Sequence, residues 1–489
     1  MITETNKTKL YAQLKPSLNC VPSKMHHIHL IGICGTAMAS LAGLLREQGF
    51  FVTGSDQHVY PPMSDFLNAL DIPILDGYAS QNLSPPPDLV IVGNVVTRTN
   101  PEAIECARLM IPYLSLPEGL RHFAMKGKKS IVISGTHGKT TTTSLTAWIL
   151  ERAGLDPSFM VGGIPSNFRM NFKAGQGPYF VIEGDEYDTA FFDKIPKFLH
   201  YNPNIVILTS IEFDHADIYK DLGHVIDSFR QLIDLIPKHG LLIANGDDPI
   251  VLEESKKAKC PVMTYGLEKQ ADWTAESTPA QGGGSVVSVM RDGGKCMTLE
   301  TPLYGRHNIA NLLSTLVLSD YLDIGKKQLA EALRSFEGVK RRQEIIGNKG
   351  GILVIDDFAH HPTAVAETVL AVKEQYSGRR LLAVFEPRSN TSRRNVFQER
   401  YLSSFDHADL ILIPEPSMLE KIPPSERFSS KALVGGLKDR GLKATYLPNT
   451  EHLLEEIVGQ AKQGDVILVM SNGSFDNLVR RLVSRLPGD

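Results

Sequence analysis

The segment Ser130-Ile-Val-Ile-Ser-Gly-Thr-His-Gly-Lys-Thr-Thr-Thr-Thr143 constrains this chain more than any other. An apolar, β-branched run meets a glycine turn and then a helix start rich in hydroxyls, the pattern of a strand feeding a phosphate-binding loop. Gly135 and Gly138 let the backbone bend so that successive N–H groups, including those of Thr136, His137 and Thr141, face phosphate oxygens. Lys139 can reach the outer phosphates, and the Thr140 hydroxyl can ligate Mg²⁺. The common nucleotide loop has four residues between its glycines. Here only Thr136 and His137 intervene, with Ile133 where the first glycine would stand, which points to a narrower group of enzymes. From Thr141 to Arg152 the spacing predicts a helix carrying Leu145, Trp148 and Ile149 on one face.

At 489 residues the chain is long enough for about three domains. A net charge of −4 without a polybasic run argues against a nucleic-acid partner. No apolar run approaches the ~20 residues that span a bilayer, and Met1–Lys24 has no apolar signal core. Five scattered cysteines without metal-ligand spacing fit a reducing, cytoplasmic setting. Met25 directly precedes the first strand-like run, so residues 1–24 are expected to be a disordered extension.

Three units, 25–123, 124–337 and 338–489, each alternate strand and helix signals, predicting an α/β chain of mostly parallel sheets. The first opens with His27-Ile-His-Leu-Ile-Gly-Ile-Cys-Gly-Thr36, a glycine turn at Gly32 and Gly35 followed by a helix. Asp56 comes roughly twenty positions later, where a ribose or base contact lies in a doubly wound sheet. Gln281-Gly-Gly-Gly-Ser285 reads as a surface hairpin or a loop.

Ligands collect at the carboxyl ends of strands in such sheets. Three polar clusters lie there. Glu183-Gly-Asp-Glu-Tyr-Asp188 offers Glu183 as a Mg²⁺ ligand. Ile211-Glu-Phe-Asp-His-Ala-Asp217 offers His215 for a second cation, with Asp214 or Asp217 orienting its ring. Asp356-Asp-Phe-Ala-His-His-Pro362 can contact ribose and phosphate or move a proton, and Pro362 holds His361 extended before a new helix. Asn308 can both donate to and accept from an adenine edge, and Arg341 and Arg342 can clamp phosphate or stack on a base.

Taken together, Ser134–Thr141, Glu183–Asp188, Glu212–His215, His307–Asn311 and Asp356–Pro362 resemble the Mur ligase family of ATP-dependent amide-forming enzymes. That resemblance implies an N-terminal UDP-sugar domain, a central ATPase and a C-terminal Rossmann-like domain that receives the amine. It implies Gly135–Thr141 at the ATP phosphates, Thr140, Glu183 and His215 at Mg²⁺, Asn308 and Arg342 at adenine and Asp357 at ribose. Gly32, Gly35, Thr36, Asp56 and Asn94 would lie near the UDP-sugar. Several relatives carry a carbamylated lysine about fifteen positions after His215, where this chain reads Ser228-Phe-Arg230.

Val59-Tyr-Pro-Pro-Met-Ser64, Asp185–Lys194, Glu386-Pro-Arg-Ser-Asn-Thr391 and Met470–Ser474 resemble one branch of that family. Its members join UDP-N-acetylmuramate to the tripeptide L-alanyl-γ-D-glutamyl-meso-diaminopimelate. The alternatives are the branch that adds L-alanine, or a nucleotide-binding ATPase without ligase activity. In the ligase reading Lys139, Glu183 and His215 act with ATP and Mg²⁺, His360 or His361 takes the amine proton, and Arg388 and Arg393 read peptide carboxylates.

Overall fold

Each unit becomes a twisted sheet whose central strands are buried on both faces, as continuous apolar runs require. The computed structural model describes residues 11–60, 63–268 and 271–487. In the first unit five parallel strands lie in the order Ile74–Asp76, Phe51–Asp56, His27–Ile31, Leu89–Val92, Tyr113–Ser115. The middle three end beside Gly32, Asp56 and Asn94, so the sheet alone gathers those residues at one edge.

The expectation of a disordered extension fails for residues 11–24. Ala12 N–H donates to Arg98 O (2.7 Å), Tyr113 hydroxyl donates to Lys15 O (3.2 Å), and Asn19 Nδ2 donates to Glu118 (3.1 Å). Ala12, Leu14 and Leu18 pack on the apolar cluster around Tyr113, which a pattern search for strands and signal cores does not register. Residues 1–10, and Pro61 and Pro62 of the Val59–Ser64 motif, lie outside the described residues.

In the second unit Lys129–Ser134 lies between Tyr179–Gly184 and Ile205–Leu208, both parallel to it. Ser134 pairs in register with Gly184 on one side and Leu208 on the other, so all three strand ends abut the phosphate loop. The hairpin expected at Gln281–Ser285 joins the antiparallel strands Trp273–Pro279 and Ser285–Arg291, with Gly282, Gly283 and Gly284 all at positive φ.

The helix Lys139–Arg152 is not the one-faced helix predicted. Residues 140–147, 149 and 150 are all buried, five threonines among them, because the helix lies between the sheet and the helices Arg306–Tyr321 and Lys326–Arg334. Leu145 and Ile149 are in the core, whereas the Trp148 indole lies at its edge and donates to Ala332 O (3.0 Å).

The third unit orders its strands Glu344–Lys349, Ile352–Asp357, Val466–Met470, Leu381–Phe385, Leu410–Pro414, Ala444–Leu447. All neighbours are parallel except the first pair. The two outer strands escape sequence reading because an edge strand is half-exposed and lacks a continuous apolar run. No described helix is long and apolar enough to cross a membrane.

Candidate active site

A cavity of about 950 Å³ opens between the second and third units, lined by the phosphate loop, both acidic clusters and the segments around Asn308, Arg342 and His360. Its volume is in the range of small-molecule sites. At its floor Gly135 (φ +131°) and Gly138 (φ +80°) admit no side chain. A Cβ would lie 2.2 Å from Thr209 Oγ1 in the first and 2.3 Å from Asn311 Oδ1 in the second. Gly138 caps the helix Lys139–Arg152 without a side-chain hydrogen bond, which leaves the first N–H groups free for an anion.

Glu183 projects from its strand end beside the loop. Its carboxylate accepts from Gly162 N–H (2.6 Å) and Thr140 hydroxyl (3.1 Å). Burial, then repulsion from Asp185, pushes its pKa up to about 7. A buried carboxylate whose raised pKa shows that the charges of Arg342 and Lys139 do not fully compensate it, with a hydroxyl in contact, fits a divalent cation held by Thr140 and Glu183.

Lys139 donates to Gly135 O (2.6 Å) and to both oxygens of Glu186 (2.9 and 3.2 Å). Glu186 Oε1 also faces His215 Nε2 at 3.2 Å. Burial raises the Glu186 pKa, but Lys139 and His215 outweigh it and hold the carboxylate near 2. Burial works against protonation of His215, and the bond to Glu186 with the charge of Asp214 reverses this, so its pKa is raised. Glu186 carried no expected role. Its only signal was being the third acid of Glu183–Asp188.

Arg342, expected at adenine from the resemblance and at phosphate or base from its chemistry, comes to the start of the phosphate-loop helix. Its guanidinium donates to Thr140 Oγ1 (3.1 Å) and lies 4.6 Å above the Phe358 ring, at the phosphate end of the cavity. Arg341 (φ +60°) and Gln343 (φ +50°) hold left-handed conformations on either side, turning the intervening side chain into the cavity. Burial lowers the Arg342 pKa despite Asp357 and Glu183. Asn308 Nδ2 donates to Tyr304 O (3.1 Å) and to Oε1 of Gln343 (2.9 Å), the neighbour of Arg342, in a cavity that Leu267, Leu303 and Phe336 also line. Asp357 accepts from Gln343 N–H (2.8 Å) and Ala359 N–H (2.7 Å).

The two histidines separate in role. His361 is almost fully buried and caps the helix Pro362–Gln375, its Nδ1 accepting from Thr363 N–H (3.3 Å) while Nε2–H points at Phe213 O (3.3 Å). Burial, then the neighbouring His137, drives its pKa down to about 3. With both nitrogens engaged and the cation disfavoured, His361 is built as a helix cap and interdomain contact. His360 Nδ1–H donates to Phe358 O (3.1 Å), so Nε2 carries the lone pair, and burial lowers its pKa and keeps it neutral.

His137, Glu212 and His361 bring ligand atoms within 4.8 Å of one another. They form an ion-pair network instead of a metal centre. Glu212 Oε2 is taken by Arg400 (2.9 Å) and Thr363 (2.9 Å), and His361 Nε2–H already serves Phe213.

In the first unit Gly32 takes φ +86°, and the helix Thr36–Glu47 starts at Gly35 without a side-chain cap. Gly35, Thr36 and Asn94 are exposed at this edge. Asp56 shapes the turn, accepting from Cys34 N–H (2.9 Å) and His58 N–H (3.0 Å). In the third unit Arg393 is not the free carboxylate clamp expected. It is buried (7 % exposed) and bound to Asn390 Oδ1 (2.9 Å) and the carbonyls of Ser389 and Ser417 (3.4 Å each). Arg388 keeps a looser partner in Glu386 (3.4 Å) and packs on Gly473.

Three domain descriptions match in the order of the three sheets. They are "Mur ligase family, catalytic domain" at residues 27–128, "Mur ligase middle domain" at 133–319 and "Mur ligase, glutamate ligase domain" at 341–473. The chain belongs to the Mur ligase family. It is 38% identical over 460 residues to the UDP-N-acetylmuramate--L-alanyl-gamma-D-glutamyl-meso-2,6-diaminoheptandioate ligase of Escherichia coli (strain K12), covering 94% of this chain and 98% of that one. Identity is 34% over 462 residues to the UDP-N-acetylmuramate--L-alanine ligase of Desulforamulus reducens, covering 94% and 97%. The crystal structure of a murein peptide ligase from Psychrobacter arcticus 273-4 superposes with a TM-score of 0.69 at 34% identity, covering 94% and 98%.

Proposed function

We propose that this chain is an ATP-dependent ligase joining UDP-N-acetylmuramate to L-alanyl-γ-D-glutamyl-meso-diaminopimelate in peptidoglycan recycling, in the cytoplasm. The observation that carries this is end-to-end similarity to a ligase of that tripeptide at 38%, against 34% to a ligase of L-alanine. Residues 25–123 would hold the UDP-sugar, 124–337 ATP and 338–489 the peptide.

In this reading the lactyl carboxylate attacks the γ-phosphate, ADP leaves, and an acyl phosphate forms. The tripeptide amine then attacks the acyl carbon, and the tetrahedral adduct expels phosphate. Both steps bring anions together, so the work is chiefly electrostatic. Mg²⁺, held by Thr140 and Glu183 with His215 beside them, would neutralise phosphate charge. Lys139 and Arg342 supply fixed positive charge at the same end, once Lys139 turns from Gly135 O and Glu186 towards the nucleotide. His360 Nε2, neutral and carrying its lone pair, takes the proton lost by the amine. Gly32, Gly35, Thr36 and the helix start behind them receive the UDP diphosphate, and Arg388, less tied down than Arg393, would meet a peptide carboxylate.

The test is product mass after incubation with ¹⁸O-labelled UDP-N-acetylmuramate carboxylate, ATP, Mg²⁺ and tripeptide. Expected are the UDP-muramyl-tripeptide and one ¹⁸O in the released phosphate. Unlabelled phosphate would remove the acyl phosphate, and release of phosphate without any amide product would remove the ligase.

A further inference from the structure

Glu212 joins two parts of the molecule that the reaction must coordinate. On one side its backbone N–H donates to Thr136 Oγ1 (2.8 Å), Thr136 Oγ1 donates back to its carbonyl (3.2 Å), and Oε1 lies 3.4 Å from His137 Nε2. Both partners are phosphate-loop residues. On the other side Oε2 accepts from Arg400 (2.9 Å) and from the Thr363 hydroxyl (2.9 Å), both in the third domain. Arg400 also donates to Thr363 Oγ1 (3.1 Å), closing a three-membered network. Thr363 lies in the first turn of the helix Pro362–Gln375, and His360 precedes that helix by two residues.

We propose that Glu212 is a positioning residue that couples the phosphate loop to the amine-binding domain, holding the helix start behind His360 at the distance the second chemical step needs. This rests on the ligase reading above. The loop 211–217 that carries Glu212 also carries His215, so nucleotide and cation contacts bear on the same segment that docks the third domain. Two further contacts from this loop reach that domain. Ala216 N–H donates to Thr391 Oγ1 (3.3 Å), and Asn390 Nδ2 donates to Asp217 (2.9 Å). They keep the domains docked when the Glu212 network is cut, so its loss loosens the register and leaves the fold intact. The third domain lends Arg342 and Asp357 to the nucleotide cavity close to its junction with the second, whereas the Glu212 network grips the helix start behind His360, so its loss bears chiefly on amide formation.

The experiment uses the full-length protein and compares wild type, Glu212→Gln, Arg400→Met and the double variant. Two rates are read. One is positional isotope exchange in ATP with UDP-N-acetylmuramate but no peptide, which reports reversible acyl phosphate formation. The other is steady-state amide formation with tripeptide.

Arg400→Met is expected to leave the exchange within about twofold while raising the tripeptide KM about three- to tenfold, the size of a half-exposed ion pair backed by a hydroxyl bond. Glu212→Gln should raise that KM similarly, and the double variant should show no more than the larger single effect. Effects that multiply, exchange falling in parallel with amide formation, or an unchanged tripeptide KM would each overturn the proposal. Wild-type amide formation tests the ligase reading separately.

Discussion

Replacing Arg342 by alanine tests a role at the phosphates, which its contact with Thr140 supports over one at adenine. Its guanidinium donates to Thr140 Oγ1 at 3.1 Å, and Thr140 contacts Glu183, so the charge lies where phosphate charge develops. A hydrogen bond from a charged donor contributes about 1.5–3 kcal/mol. At about 1.4 kcal/mol per decade, that is a fall in kcat of roughly 10- to 150-fold. The stacking on Phe358 at 4.6 Å positions the side chain and contacts no substrate, so its loss should not alter base selectivity. Phosphate release at saturating tripeptide and UDP-N-acetylmuramate, with ATP and then GTP varied, gives kcat and KM for each. A lowered kcat with an unchanged ATP-to-GTP preference is expected. An unchanged kcat with a raised ATP KM and a lost preference for ATP would return Arg342 to the base and refute the geometry.

Further outcomes follow from the site's electrostatics. Glu183 titrates near 7 in the cation-free protein, so below that pH a proton competes with the metal. Mg²⁺ affinity should fall by up to about tenfold per pH unit below 7 and level off above. Isothermal titration in two buffers at pH 6 should show about one proton released, and pH-independent binding from 5.5 to 8 would dismiss the assignment. His360→Gln should slow amide formation by about 10²-fold or more and abolish the acidic limb of its pH profile. His361→Gln should keep that limb and lower the melting temperature, because a helix cap and an interdomain contact are lost; a vanished limb would reverse the two roles. Asn100 Oδ1 caps the helix Pro101–Leu109 through Glu102 N–H (2.9 Å) and Ala103 N–H (3.1 Å). Asn100→Ala should cost about 1 kcal/mol in urea unfolding, with ligase kinetics unchanged.

The strand-turn-helix units were legible because each carries its signal within about twelve contiguous residues, and parallel pairing then forces their polar ends together. Thr140 and Glu183 meet for that reason alone. What escaped was set by long-range packing or by backbone angle. The Lys139–Glu186 pair spans 47 positions and depends on which acid of a cluster turns inward. Arg342 reaches Thr140 because its neighbours adopt left-handed conformations that no composition rule predicts. Arg393 looked free because its partners are carbonyls and an amide on a loop, which leave no charge pattern. The His361 cap was half visible, since Pro362 announced the helix start. Its Nε2 bond to Phe213 lies 148 positions away and was not visible.

The most direct test of the central claim is kcat/KM for phosphate release with ATP, Mg²⁺ and UDP-N-acetylmuramate, comparing the tripeptide with L-alanine in parallel. The account predicts release that depends on the tripeptide and is at least tenfold less efficient with alanine. Equal or greater efficiency with L-alanine would assign the chain to the alanine-adding branch, and release that needs neither amine would contradict a ligase altogether.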